Sequence, residues 1–81
     1  MKMKSTTTAH VPGLDRVFPH RLDTMDYLSV MLVDMGSSSF RVDTWELSQR
    51  LFEFDADRGG YVCKVNARDF LAIMREAIDR A

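Results

Sequence analysis

Phe52-Glu53-Phe54-Asp55-Ala56-Asp57-Arg58-Gly59-Gly60-Tyr61-Val62-Cys63-Lys64-Val65 decides the fold of this 81-residue chain. Two β-rich runs, 52–54 and 61–65, flank a polar loop whose adjacent glycines supply the positive φ that a chain reversal requires. The pattern predicts a β-hairpin with a slightly long loop. On either side the apolar spacing changes from every second residue to every third and fourth, the helical period. The expected class is therefore α+β: a small, mainly antiparallel sheet with three helices, mostly on one face.

Three helix starts share one chemistry. Asp23-Thr24-Met25-Asp26, Asp43-Thr44-Trp45-Glu46 and Asn66-Ala67-Arg68-Asp69 each place an N-cap oxygen before an acid three residues on. There the oxygen accepts from free first-turn amides and the acid meets the positive end of the helix dipole. Apolar pairs flank each start: Leu22 with Tyr27, Val42 with Leu47, Val65 with Phe70. The first helix, 24–35, carries Met25, Leu28, Met31, Leu32 and Met35, with Tyr27, Val30 and Val33 widening the stripe, so it reads as the central helix. Gly36 ends it. Phe40-Arg41-Val42 alternates like a short strand leading into the second helix, 44–52, which groups Trp45, Leu47, Leu51 and Phe52 on one side. The last helix, 67–79, turns Phe70, Ile73, Met74, Ala77 and Ile78 inward.

Upstream, the alternating start and the threonines predict an exposed edge strand over residues 1–10. Pro12-Gly13 and Pro19 make 12–21 a loop, with Phe18 held extended by the following proline and Val11, Leu14, Val17 and Phe18 pinning it to the core. The expected order is β-α-β-α-β-β-α in one domain, 1–81, with 1–22 a basic edge strand and loop and 23–81 a helical and hairpin body.

Charge divides the same way. Residues 1–22 carry +3, while 23–81 carry seven basic and eleven acidic side chains, a net −4. Phosphate backbones select basic surfaces, and only the N-terminal segment offers one. No apolar run reaches the roughly 20 residues that span a bilayer, no hydrophobic stretch follows the basic start, and one cysteine allows no internal disulfide. A cytoplasmic protein without membrane contact is expected.

The inventory for chemistry is thin. Nucleophilic catalysis needs a base within reach of Cys63 or a serine, yet His10 and His20 both lie in the N-terminal segment. Cys63 reads as a buried structural thiol. Two histidines and one cysteine fall short of a zinc set, and neither a Walker A loop nor a dinucleotide fingerprint is present. No catalytic residue, cofactor or metal is expected. Residues 54–62 resemble the start of an EF-hand calcium loop, with Asp55 and Asp57 at its first two acidic positions, Gly60 at the obligatory glycine, Tyr61 at the carbonyl donor and Val62 at the apolar position after it. The likeness stops at Gly59, Cys63 and Asn66, which stand where the loop needs oxygen ligands and a bidentate glutamate. A winged-helix order is partly present too, with Arg58 at the hairpin tip facing phosphate, but it lacks a recognition helix between the second helix and the hairpin.

A non-enzymatic, partner-binding protein is the expectation that remains. Its candidate contact residues are Glu53, Asp55, Asp57, Arg58 and Tyr61, an acidic hairpin loop able to replace phosphates in an arginine-lined groove. Trp45 and Tyr61 suit aromatic anchoring, with core packing the plainer role for Trp45. The expected partner is a larger protein or nucleoprotein complex that handles nucleic acid, blocked or adapted by a monomer or homodimer of this chain. In kind the chain is similar to the small proteins phages use against host defences, anti-CRISPR proteins among them, a class that shares no motif. The alternative is a DNA-binding regulator using the basic arm and the hairpin.

Overall fold

Within residues 10–81, the part that the computed structural model describes, the elements follow as α1 (Arg21–Asp34), α2 (Thr44–Leu51), β1 (Phe52–Asp55), β2 (Gly60–Cys63) and α3 (Ala67–Arg80). Three helices with a two-stranded antiparallel sheet make the class α+β. The edge strand expected over residues 1–10 lies, except for His10, outside the described residues.

The hairpin forms where the sequence places it. Phe52 pairs with Cys63 and Phe54 with Tyr61, so these four side chains share one face. Asp55 builds the reversal: its carbonyl accepts from the amides of Arg58 and Gly59 at 3.2 and 2.9 Å, and its carboxylate from those of Asp57 and Arg58 at 3.0 and 3.3 Å. Gly59, at φ +74°, closes it. The second strand stops at Cys63 rather than Val65, because Asn66 leaves the ladder to cap α3.

A third strand position comes from upstream. Phe18 bridges Tyr61 antiparallel, donating to its carbonyl at 2.9 Å and accepting from its amide at 2.7 Å. β2 therefore lies between β1 and residue 18. Gly60 permits the approach, since a β-carbon there would sit 2.6 Å from the Phe18 carbonyl oxygen and 2.8 Å from Val17 Cγ1. Gly60→Ala is expected to cost about 1–3 kcal/mol, because the obstruction is backbone and cannot rotate away. Urea unfolding of the variant measures it, with Gly59→Ala as the comparison in which strain arises from φ and not from crowding.

Two of the three expected caps stand. Asp43 Oδ1 accepts from Glu46 N–H at 3.1 Å, and Asn66 Oδ1 from Asp69 N–H at 2.8 Å. The third shifts. α1 begins at Arg21, and Asp23 serves inside its first turn, where its carboxylate accepts from His20 N–H at 3.1 Å. Leu22 is consequently 68% exposed instead of stapling Tyr27. At the other end Gly36, at φ +86°, closes α1: Gly36 N–H donates to Val33 and Ser37 N–H to Leu32, both at 2.9 Å.

Residues 40–42 do not form a strand. Ser39–Arg41 makes one turn of 3-10 helix, nucleated by Ser38, whose hydroxyl accepts from Phe40 N–H at 3.3 Å and whose carbonyl accepts from Arg41 N–H at 3.2 Å. The serine side chain offers the backbone a local partner, and among the described residues no strand lies alongside to offer a ladder.

One core gathers the buried side chains: Val11, Phe18, Leu28, Leu32, Val42, Leu47, Leu51, Phe52, Phe70 and Met74. Tyr27 sits at its aromatic centre, with ring centroids 5.2 Å from Phe18 and 6.2 Å from both Phe52 and Phe70. α1 is covered on one side only, for Val30 and Val33 face solvent. Val17, expected inward, is also exposed. The Tyr27 hydroxyl donates to the Pro12 carbonyl at 2.8 Å, tying the 12–15 turn to α1. Burial foremost, then the Cys63 and Asp15 charges, pushes its pKa up to about 12, against a smaller opposing effect of Arg16. Folding thus favours the neutral phenol. Its contribution is complete below the unfolded value of 10.0 and is lost as pH rises from there toward about 12. Thermal melts across that window, with Tyr27→Phe as the variant that lacks this component, check the prediction.

Candidate partner-binding site

Where α1, α2 and the hairpin meet, Arg21 leads into a patch that the sequence spacing did not reveal. Arg21 is the first residue of α1, and its side chain turns inward instead of extending with the basic arm. Nη1 donates to Ser48 Oγ at 2.9 Å and, more weakly, toward the Phe52 carbonyl at 3.5 Å. Its guanidinium carbon lies 4.5 Å from the Tyr61 ring centre and 5.8 Å from that of Trp45. Phe54, the cross-strand partner of Tyr61, meets its ring edge-on with centres 5.4 Å apart. Neighbour contacts thus link Trp45 to Arg21, Arg21 to Tyr61 and Tyr61 to Phe54.

A buried polar chain holds this arrangement. Thr24 and Ser48, both fully buried, touch through their hydroxyls, and Thr24 Oγ1 donates to the Arg21 carbonyl at 2.6 Å. A hydroxyl has one proton, so Ser48 must be the donor to Thr24 while it accepts from Arg21. The circuit closes on Arg21 at both ends and locks α1 to α2 with no proton left over. Ser48→Ala removes an acceptor from Arg21 and a donor from Thr24, and is expected to cost about 1–3 kcal/mol. Ser48→Thr, which keeps the hydroxyl, separates that loss from packing in the same melts.

Trp45 is 51% exposed and Phe54 58%, whereas Tyr61 is half-buried between them. For Trp45 this overturns the inward placement inferred from its spacing with Leu47 and Leu51. Trp45 and Leu47 are two residues apart, about 200° around a helix, so only one of them can face the core. Leu47 does.

The residues singled out in the hairpin are separated by its two faces. Tyr61 lies with Phe54 on the aromatic face, while Glu53, paired with Val62, points the other way. Asp55 is occupied as the keystone of the turn and pairs with Arg58 at 3.7 Å. Asp57 is exposed at the tip. Of the residues at calcium-loop positions, Asp55, which matches, is engaged in the turn, and Asn66, which does not, caps α3. The glycine with positive φ in this loop is Gly59, not Gly60. Among the described residues no group of three or more His, Cys, Asp or Glu is placed to hold a metal ion.

Cys63 is half-buried, its thiol donating to the Val65 carbonyl at 3.2 Å. Burial pushes its pKa up, the reverse of what activates a nucleophile, against a smaller lowering by that hydrogen bond. No helix among the described residues is long and apolar enough to cross a membrane. A second exposed apolar area comprises Val30 and Val33 on the outer side of α1, and Phe40 on the 3-10 turn is 99% exposed. No family model, curated protein or solved structure matches this chain.

Proposed function

We propose that this protein works without catalysis, by docking the Trp45, Arg21, Tyr61 and Phe54 patch on a larger protein. The observation that carries the reading is the coincidence of exposed aromatic rings with an arginine immobilised between two of them. Tryptophan, tyrosine and arginine are the residues that dominate binding energy at protein interfaces, because each buries a large area at little further entropic cost. Asp57 at the hairpin tip then acts as a charged rim, which governs encounter more than affinity. On this reading the protein is a cytoplasmic inhibitor or adaptor of a nucleic-acid-handling complex, its rim carboxylate standing where a phosphate would lie. Affinity capture from the native cell or host, followed by mass spectrometry, tests it: one stoichiometric protein partner is expected, lost when Trp45 and Phe54 become alanine. Equal recovery with that double variant contradicts the reading.

One observation favours a second reading. Because residues 39–41 turn instead of pairing, α1 and α2 stand directly before the hairpin, the order in which two helices precede a wing, and Phe18 supplies a strand position ahead of them. On that reading α2 enters a DNA groove. Its exposed side chains are Trp45, Glu46 and Gln49, with Asp43 at its start and Asp57 at the hairpin tip, and these carboxylates repel phosphate. Asp57→Lys therefore separates the two. It should weaken protein docking to a basic surface and strengthen any DNA retention, and it spares Asp55, which the turn needs.

A further inference from the structure

We infer that Arg21 is a carboxylate receptor, and that the partner segment it takes is acidic: an Asp or Glu side chain set beside an apolar residue that lies on Phe54 or Trp45. The inference rests on the docking reading above and adds what the patch recognises. Arg21 is half-buried, yet among the described residues no carboxylate lies within 4.0 Å of it. Arg50, Arg58 and Arg80 have carboxylate partners on the protein itself. Arg16, Arg41, Arg68 and Arg75 have none within 4.0 Å either, but all four are exposed to water, whereas Arg21 is held half-buried without one.

The geometry goes further than the missing partner. Nη1 is engaged by Ser48 and Phe52, whereas Nε and Nη2 have no acceptor among the described residues. Those two nitrogens form one edge of the guanidinium fork, the edge that binds a carboxylate through two parallel hydrogen bonds. The Ser48 and Thr24 circuit fixes the fork before any partner arrives, so little side-chain entropy remains to be lost on binding. Tyr61 and Trp45 flank it with apolar surface, which excludes water and strengthens a charge-assisted hydrogen bond.

The surroundings select among anions. The elements that meet here are acidic: Asp23, Asp26 and Asp34 lie on α1, Asp43 and Glu46 at the start of α2, and Glu53, Asp55 and Asp57 on the hairpin. A polyphosphate backbone, charged along its whole length, is repelled by such a surround. A single carboxylate carried on an apolar segment meets Arg21 and little else, so the occupant is an acidic peptide segment and not nucleic acid.

Panning a random linear peptide display library against the full-length protein tests this. Enriched sequences are expected to share an Asp or Glu next to an aromatic or aliphatic residue. Binding of the synthesised peptides is followed through Trp45, the only tryptophan of the chain. Changing the acid of the peptide to its amide should weaken binding about 10- to 100-fold, a test that leaves the protein untouched. Arg21→Lys, which keeps the charge and loses the fork, should weaken it by about 10-fold, its folding checked by circular dichroism. Peptides that need Trp45 and Phe54 but tolerate the amide overturn the receptor and leave the docking patch standing. Enrichment of no sequence that depends on the patch overturns both. Displacement of the peptide by a short single-stranded oligonucleotide more readily than by an equally charged acidic peptide assigns the fork to phosphate and overturns the commitment to a peptide.

Discussion

Phe18→Ala is expected to cost about 3–5 kcal/mol, a large part of the stability a domain of this size commands. Phe18 is fully buried, its ring edge-on to Phe52 at 5.4 Å and tilted against Tyr27 at 5.2 Å, with the Arg16 guanidinium carbon 4.6 Å from its centre. Alanine leaves a void between three elements that are themselves anchored elsewhere, so collapse into it is incomplete. The backbone bridge to Tyr61 does not need the ring. Phe18→Leu, which retains most of the volume, should therefore cost no more than about 1.5 kcal/mol. Urea unfolding followed by circular dichroism ranks the two. A cost below about 1 kcal/mol for Phe18→Ala would mean that the segment before α1 is a passenger, and that β2 is an edge strand.

The second large effect concerns binding. Trp45→Ala with Phe54→Ala should reduce affinity for the captured partner about 100-fold or more, since two anchoring aromatics are lost. The same substitutions should change stability by less than about 1.5 kcal/mol, because both rings already face water over half their surface. Val30→Ser with Val33→Ser is the matched comparison. It removes two equally exposed apolar residues from the outer side of α1, and affinity should stay within about threefold. Isothermal titration of the three proteins resolves the pattern. An equal loss from both double variants would mean that apolar area in general, and not this patch, holds the partner.

Local chemistry was legible from the residues. Gly59 and Gly60 between β-rich runs, Asp43 and Asn66 before amphipathic stretches, and Gly36 after an apolar one each signal through contacts within a few positions, and each element stands where those signals put it. Errors arose where a local pattern had two physical readings. Phe40-Arg41-Val42 alternates as a strand does, but a strand needs a neighbour, and Ser38 offered a nearer hydrogen-bond partner. Asp23 suits an N-cap and equally suits the third helical position, and the Pro19-His20 entry favoured the second. Trp45 is large and apolar, which points inward, but α2 has room for only one of Trp45 and Leu47 against the core.

The candidate site was the least legible part. It depends on a serine, a threonine and an arginine from two helices, 24 and 27 positions apart, that carry no motif. Each is commonplace alone. Only a polar residue on the apolar side of each helix, Thr24 with Leu28 and Ser48 with Leu51, hinted that α1 and α2 were paired through hydroxyls. Tyr61, named from the sequence as an aromatic anchor beside the acidic loop, is half-buried, and its company is Phe54 and Arg21.

Side-chain footprinting of the complex with the captured partner bears most directly on the account. Carbene or hydroxyl-radical labelling of Trp45, Tyr61 and Phe54 should fall severalfold when the partner is bound, while Val30, Val33 and Phe40 label as in the free protein. Protection of the α1 outer side and Phe40, with the three aromatics of the patch still labelled, would contradict it.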